Sequence, residues 1–556
     1  MPCFRRFFFA AAMLAALAAH DAYAQRRTVC TITVNSADEK ETFRRYLPAD
    51  QYDFVELVER GRPDWLASAC RAGVRCDVLL ISGHFDGGDE FYSDRVDARE
   101  SLPVDEMERV SCSDSCPGLF SQLKEVYLFG CNTLNPDKLS NASAEVTRAL
   151  LRSGHSAADA ARIAQFLSAE HADSNRDKMR MIFKDVPVIY GFSSKAPLGA
   201  KAGPMLERYF NTGATPAIGT GRPSEKLLQL FAGSSMTVAS GATDADPQAG
   251  YRRDMCRFVD DRLSAEQRVA FVHALLDRDM AEVRAFLDPL EKYSASFGDV
   301  ARQTPAVATA LDAITADTAA KQRWLTFARD ADEPSVRARM IALASRFGWL
   351  PPSERQAELV RLFSDVYARN TVDTADVDLA CTLNGDHALE AALAAFRQGA
   401  KASDVGHAAL LACAGSRTGR NRVVLALTSA REHDVALAQV YLKHRPIVEV
   451  DELRAVALRI ARMSDVDAQV RALDTLASQP LSDHESLETL TRLFPVAKTL
   501  DVQRAIAGIL IRADYETIAK PELVRALREK RLKSPDGQDL IDVLIRRMQQ
   551  SLARAA

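Results

Sequence analysis

Two short stretches, Val78-Leu79-Leu80-Ile81-Ser82-Gly83-His84 and Val126-Tyr127-Leu128-Phe129-Gly130-Cys131, limit most strongly what this chain can fold into. Each is a run of apolar, β-prone residues that ends in one reactive side chain. Apolar runs of this length, bounded by glycine and polar loops, read as strands buried on both faces, the pattern of a parallel sheet. As neighbours in such a sheet their carboxyl ends lie about 5 Å apart. His84 and Cys131 then meet at the carboxyl edge, where open α/β sheets place their ligands. A thiol beside an imidazole is the minimum apparatus of a cysteine nucleophile.

The surrounding residues supply the rest of such a sheet. Strands are predicted over 28–34, Tyr52 to Val58, Cys76 to Gly83, Glu125 to Gly130 and Val186 to Phe192. Helices are predicted over Asp38 to Tyr46, Pro63 to Ala72, Gly118 to Leu123, Ser143 to Arg152, Ser156 to Ala169, Arg176 to Phe183 and Gly203 to Tyr209. Strands alternating with helices argue for an α/β domain over residues 25–231, with a mainly parallel sheet covered on both faces. The polar stretch between His84 and Gly118 reads as a long loop. Its acids Asp86, Asp89, Glu90 and Asp94 read as a solvated face rather than a calcium site.

The first residues set the compartment. Arg5 and Arg6 precede the apolar run Phe7 to Ala19, and Ala22-Tyr23-Ala24 places small residues before Gln25. Residues 1–24 therefore read as a secretory signal peptide cleaved after Ala24, which predicts a periplasmic or secreted protein. The run is short for a membrane span, and no later stretch reaches that length. A net charge of −4 among 556 residues gives no basic excess, so nucleic acid is not an expected partner. Beyond Cys3 there remain Cys30, Cys70, Cys76, Cys112, Cys116, Cys131, Cys256, Cys381 and Cys413, an odd number. In an oxidising compartment most pair and one is left over, which fits a free Cys131. Cys112 and Cys116 are expected in disulfides rather than in a zinc site with His84 and Cys131. Cys70 and Cys76 pair with each other or with that loop. No cofactor or metal is expected.

The order strand–His, loop, strand–Cys resembles the caspase-like cysteine peptidases, the group of caspases, clostripain, gingipain, separase and CHAT domains. The matching residues are Ser82-Gly83-His84 and Gly130-Cys131-Asn132-Thr133, the latter closer to the CHAT-like version. The gap from His84 to Cys131 agrees with the caspase spacing of about 50 residues. The resemblance covers roughly residues 26–230. It implies Cys131 as nucleophile and His84 as general acid/base. It also implies that Phe85 and Gly83 contribute backbone near the scissile carbonyl. Phe85 departs from the glycine usual at that place; its amide is retained, while its bulk bears on the cleft and on turnover. Ser193 and Lys195, just past the last strand, are candidate substrate-binding residues, Lys195 favouring an acidic side chain.

Residues 232–251 are small, polar and glycine-bearing, the composition of a linker. From 252 to 556 the alternation of strands vanishes and apolar residues recur at helical spacing. Val336-Arg337-Ala338 leads to Ala342-Leu343, Val470-Arg471-Ala472 leads to Leu476-Ala477, and Asp501-Val502-Gln503-Arg504-Ala505 follows. These segments resemble the inner helices of HEAT-type repeats, which stack into an α-solenoid that binds a protein partner. Cys381 and Cys413, 32 residues apart in Leu-Ala-Cys contexts, are placed to face each other across adjacent repeats, where a disulfide can form. The expected function is an exported cysteine endopeptidase acting on a protein or peptide substrate. The second reading is an inactive caspase-like domain plus solenoid serving as an envelope binding scaffold.

Overall fold

The computed structural model describes residues 26–57, 66–85, 88–93, 100–113, 116, 118–137, 143–171, 174–260, 262–295, 304–394, 404–479, 481, 483–513, 518–533 and 539–555. The expected signal peptide lies outside them. The chain divides into two compact units, Met1–Phe327 and Ala328–Ala556, each described by itself.

The first unit is organised by strands β1 (Arg27–Thr33), β2 (Tyr52–Glu56), β3 (Val78–Ser82), β4 (Glu90–Tyr92), β5 (Ser101–Pro103), β6 (Glu125–Phe129), β7 (Val188–Phe192) and β8 (Met236–Ala239). Six of them form one sheet in the order β2-β1-β3-β6-β7-β8. The first five are parallel, and β8 runs antiparallel to β7. Its helices are α1 (Asp38–Tyr46), α2 (Ala67–Arg71), α3 (Val104–Cys112), α4 (Ser143–Arg152), α5 (Ala157–Glu170), α6 (Asn175–Ile182), α7 (Gly199–Phe210), α8 (Glu225–Leu230), α9 (Ala249–Val259), α10 (Ala265–Leu276), α11 (Met280–Val283) and α12 (Leu287–Ala295), followed by Pro305–Ala316.

The unbroken apolar strands are explained by the two faces they bury. Cys30, Ile32, Leu79, Ile81, Val126, Leu128 and Ile189 point to one side, where Met107 and Val110 of α3 and Met179 and Ile182 of α6 cover them. The alternate residues Val29, Val78, Leu80, Tyr127, Phe129, Val188, Tyr190 and Phe192 meet Phe43 of α1 and Leu206 and Phe210 of α7. With period-two side chains and both faces covered, the central strands leave little room for polar residues, and the buried Thr31 within β1 is satisfied by donating its hydroxyl to Glu56 at 2.8 Å. α1 also suits its place electrostatically, with Asp38, Glu39 and Glu41 in its first turn and Arg44 and Arg45 in its last.

Three local expectations differ from the structure. Gly118–Leu123 forms turns, not a helix; it follows Cys116, tied to Cys70, and buries Leu119, Phe120 and Leu123 without helical backbone. The polar stretch after His84 contains the antiparallel pair β4–β5 and the helix α3, whose Val104, Met107 and Val110 face the core. The segment 232–251, expected as a linker, carries β8 and the start of α9. Its glycine content has a packing cause. A Cβ on Gly241 would lie 1.9 Å from the Phe183 carbonyl oxygen, so backbone meets backbone there, and the Gly241 N–H donates to the Val186 carbonyl at 2.8 Å. The helices from Ala249 onward thus begin within the unit that holds the sheet.

Disulfides join Cys30 to Cys76, Cys70 to Cys116 and Cys112 to Cys256 in this unit, and Cys381 to Cys413 in the second. Cys112–Cys256 fastens α3 to α9 and closes the longest loop, 144 residues. Cross-links over such separations restrain the unfolded chain by about 4 kcal/mol each in the chain-entropy account. With Cys112 and Cys116 in separate disulfides, no thiolate pair remains there for zinc.

The second unit is helical throughout its described residues. Thr374–Leu383 packs on Glu432–His444, which packs on Val466–Ala477, then Leu500–Arg512, then Leu540–Ala555. One contact recurs along this series. Gln469, fourth in its helix, donates to the Ile460 carbonyl at 2.9 Å; Gln503, fourth in the next, donates to the Phe494 carbonyl at 3.2 Å. Both glutamines are buried, and each bonds a carbonyl nine residues earlier. Arg337, expected on an inner helix face, is buried and paired with Asp365 at 2.5 Å.

The disulfide assignment gives a direct expectation. Iodoacetamide added in denaturant without reductant should alkylate Cys131 and none of the other eight cysteines after residue 25. Peptide mapping that finds label on Cys112 or Cys256 would contradict the link between α3 and α9.

Candidate active site

The chain runs from β1 to β2 on one side and returns to β3 on the other, so a crevice opens at the carboxyl ends of β1 and β3. A cleft of about 40 Å³ lies there. Asn35, Ser36 and Glu39 after β1 line it, with Ser82, Gly83 and His84 from β3, Phe129, Gly130 and Cys131 from β6, and Ala196 to Gly199 after β7. His84 and Cys131 therefore share one cleft, each one or two residues past the end of adjacent parallel strands.

Strand pairing sets both positions. The register Ser82↔Phe129 is extended by the Gly83 N–H, which donates to the Phe129 carbonyl at 3.1 Å. His84 then leaves the ladder and pairs with Tyr92 of β4, each N–H donating to the other's carbonyl at 2.9 Å, with ring centroids 5.4 Å apart. Next to Cys131, a Cβ on Gly130 would lie 2.8 Å from the Phe85 Cβ and 2.9 Å from the Gly83 carbonyl oxygen. Glycine is what lets the two strand ends come this close. Phe85 is fully buried, its ring 4.6 Å from that of Phe91. Its bulk goes into the core beneath the cleft and does not narrow it.

The turn after the cysteine is held by Asn132 and Thr133 of the matching motif and by Asn175, to none of which the sequence reading gave a role. Asn132 has φ 59°, and its N–H donates to the Ser194 carbonyl at 2.6 Å. Thr133, fully buried, donates from Oγ1 to the Gly130 carbonyl at 3.1 Å and accepts from the Phe192 N–H at 3.0 Å. Asn175 at the start of α6 donates from its side chain to the Asn132 carbonyl at 3.1 Å. These bonds fix Cys131, half-buried, with its sulfur 3.3 Å from the Ala196 N–H, which donates to it. The N–H groups of Gly83, His84 and Asn132 are spent on carbonyls. Those of Phe85 and Cys131 have no acceptor among the described residues.

A second acid belongs to the cleft. Glu39 is 2% exposed, and burial raises its carboxyl above the usual carboxylate range despite a 2.7 Å hydrogen bond donated by the Ser82 hydroxyl. The signal was present in the sequence as an acid one turn after β1, at the mouth of a helix, but acids in that place usually serve only the helix dipole. The two candidate binding residues do not themselves line the cleft, although Lys195 lies between Ser194 and Ala196, which bond the Asn132 N–H and the Cys131 sulfur. Lys195 is exposed and outside the cleft lining, and its neighbours Ala196 to Leu198 form the wall instead. Ser193 is bound to the Ser235 carbonyl through both its N–H, at 3.1 Å, and its hydroxyl, at 3.3 Å. Of the acids expected to form a surface face, Asp89 is exposed, Glu90 is half-buried at the start of β4, and Asp86 and Asp94 lie outside the described residues.

Two measurements check this geometry. Gly130→Ala should lower unfolding free energy by about 1–3 kcal/mol through overpacking, in a denaturant titration. For Glu39 the sign follows from its raised pKa. The folded state holds its proton more tightly than the unfolded state, so stability falls as pH rises through the folded pKa. Glu39→Gln should therefore gain stability over the wild type at pH 8, and the gain should shrink towards pH 4. A gain that is the same at both pH values would place the carboxyl in water. Compared with known proteins, the chain matches no family model, no curated sequence and no solved structure.

Proposed function

We propose that the protein is an exported caspase-like cysteine endopeptidase with Cys131 as nucleophile and His84 as general acid/base. The observation that carries this reading is the meeting of His84 and Cys131 in one cleft at the carboxyl edge of the parallel sheet, Cys131 being the one cysteine among the described residues outside a disulfide. The cleft is far smaller than the roughly 300 Å³ at which pockets begin to enclose a small ligand. It suits part of a larger molecule lying across the edge, such as one side chain of a peptide.

In this reading the Cys131 sulfur attacks the scissile carbonyl carbon and a C–S bond forms. The oxygen takes the negative charge, and the N–H groups of Cys131 and Phe85 are the donors still available to it. His84 carries the thiol proton to the leaving amine nitrogen as the C–N bond breaks. Water, deprotonated by the same imidazole, then hydrolyses the thioester. Glu39 at the cleft's inner wall favours a hydrogen-bond donor or cation over an acidic side chain, which moves the specificity expected from Lys195 to the opposite charge. Four disulfides among the described residues support an oxidising compartment. No helix among them is long and apolar enough to cross a membrane. We read the second unit as HEAT-like repeats that hold a protein partner or substrate, a reading supported by the serial packing of alternate helices and the repeated Gln469 and Gln503 bonds.

A panel of fluorogenic peptide amides tests the proposal. Wild-type hydrolysis should fall by about a thousandfold or more in both Cys131→Ala and His84→Ala, the scale of removing one member of a catalytic pair. Undiminished hydrolysis in Cys131→Ala would rule out Cys131 as the nucleophile; a wild type that cleaves nothing and whose Cys131 resists alkylation when folded would leave the binding scaffold as the function.

A further inference from the structure

A second cavity, about 420 Å³, lies within the first unit and shares no lining residue with the cleft. Its size falls within the range of pockets that enclose a small organic ligand. Helices α3, α6, α9 and α12 surround it, and its walls include Val104, Met181, Tyr251, Met255, Phe258 and Tyr293. The frame is rigidly tied. Cys112–Cys256 joins α3 to α9. The Arg252 guanidinium donates to the Met181 carbonyl at 2.8 Å and to the Ser111 carbonyl and hydroxyl at 3.0 and 2.9 Å, binding α9 to α6 and α3.

Most of the charged groups on the lining have partners. At the mouth Lys292 is paired with Asp105 at 2.6 Å, and Lys178 stands 3.9 Å from Asp89. Arg109 is held by Glu106 through two 2.8 Å bonds. Two groups are left without such a partner among the described residues. Glu108 has no hydrogen-bond donor, and burial pushes its carboxyl up to about 7, with Asp105 adding to the rise and Lys292 and Lys178 opposing it. Arg268 of α10 has a buried Nε with no acceptor. The two do not serve each other. The charged neighbours acting on Glu108 are Asp105, Lys292 and Lys178, whereas Arg268 acts on Tyr293 and Asp260. The cavity, partly apolar and partly charged, thus carries an acid and a guanidinium nitrogen without a hydrogen-bond partner among the described residues. Each is costly to bury alone and would gain most from a charged partner.

We infer that this cavity binds a short free peptide of two or three apolar or aromatic residues, with its terminal ammonium on Glu108 and its terminal carboxylate on Arg268. The apolar walls take the side chains, and a ligand that carries only one charge satisfies only one of the two groups. The inference does not depend on the peptidase reading, because no residue of the cleft takes part.

Isothermal titration of the full chain with three probes tests it: the dipeptide Leu-Phe, its N-acetyl form and its C-terminal amide. Leu-Phe should bind at least tenfold more tightly than either capped form. Glu108→Gln, close in shape and free of the buried charge, should abolish the advantage over the acetylated probe only. Arg268→Gln should abolish the advantage over the amide only. The retained half of the discrimination in each variant shows that the site is still folded. Cys131→Ala should bind Leu-Phe as the wild type does, which separates this site from the cleft. Equal binding of the three probes, no saturable binding, or variants that lose no discrimination would overturn the assignment.

Discussion

Burial of a parallel sheet on both faces is the constraint from which the rest of the first unit follows. Each strand carries apolar residues at successive positions because α3 and α6 cover one side and α1 and α7 the other. Chemistry that needs water, charge or a substrate is then confined to the strand ends. Even Glu125, which begins β6, is buried and has to be satisfied there, accepting from the Tyr127 hydroxyl and the N–H groups of Thr220 and Gly221. At the opposite edge the strand ends stay open, and the reactive side chains His84 and Cys131 stand there, with Glu39 contributed by the helix that follows β1.

The placement of His84 and Cys131 was legible because a strand fixes the direction of its end as soon as its apolar run is recognised. The helices α1 and α4 were legible to the residue, because their apolar spacing and flanking polar residues agree. What the sequence concealed was contact of backbone with backbone. Gly241 looked like linker composition, yet it is a glycine because β8 enters beside Phe183. Likewise Gly130 reads as punctuation in sequence and proves to be the point where Phe85 and Gly83 press on β6. Lys195 illustrates the opposite error. Proximity in sequence to a strand end suggested a place in the site, but Ala196 to Gly199 form the cleft wall there and the lysine is exposed.

Two devices position the cysteine, and they differ in kind. Thr133 ties Gly130 to Phe192 through one hydroxyl that both donates and accepts, so β6 and β7 are locked at the edge by a residue with no chemistry of its own. Asn175 reaches the same turn from α6, the helix that also contributes Lys178, Met181 and Ile182 to the larger cavity. The Cys131 turn and the cavity are thus two ends of a single eight-residue helix.

The disulfide pattern has a consequence for the making of the protein. Cys30 pairs past Cys70, Cys70 past Cys76 and Cys112, and Cys112 past Cys116 and Cys131, so the three bridges interlock like links of a chain. A polypeptide oxidised in the order in which it emerges joins each cysteine first to its nearest successor, and none of these three pairs is of that type. The native set is reached by oxidation after the chain has folded or by thiol–disulfide exchange, and Cys131 is the thiol left to take part in such exchange. Only Cys381–Cys413, between consecutive cysteines, forms in order of synthesis. The bridges of the sheet unit thus depend on the fold to select them, whereas the bridge of the helical unit joins neighbours in sequence.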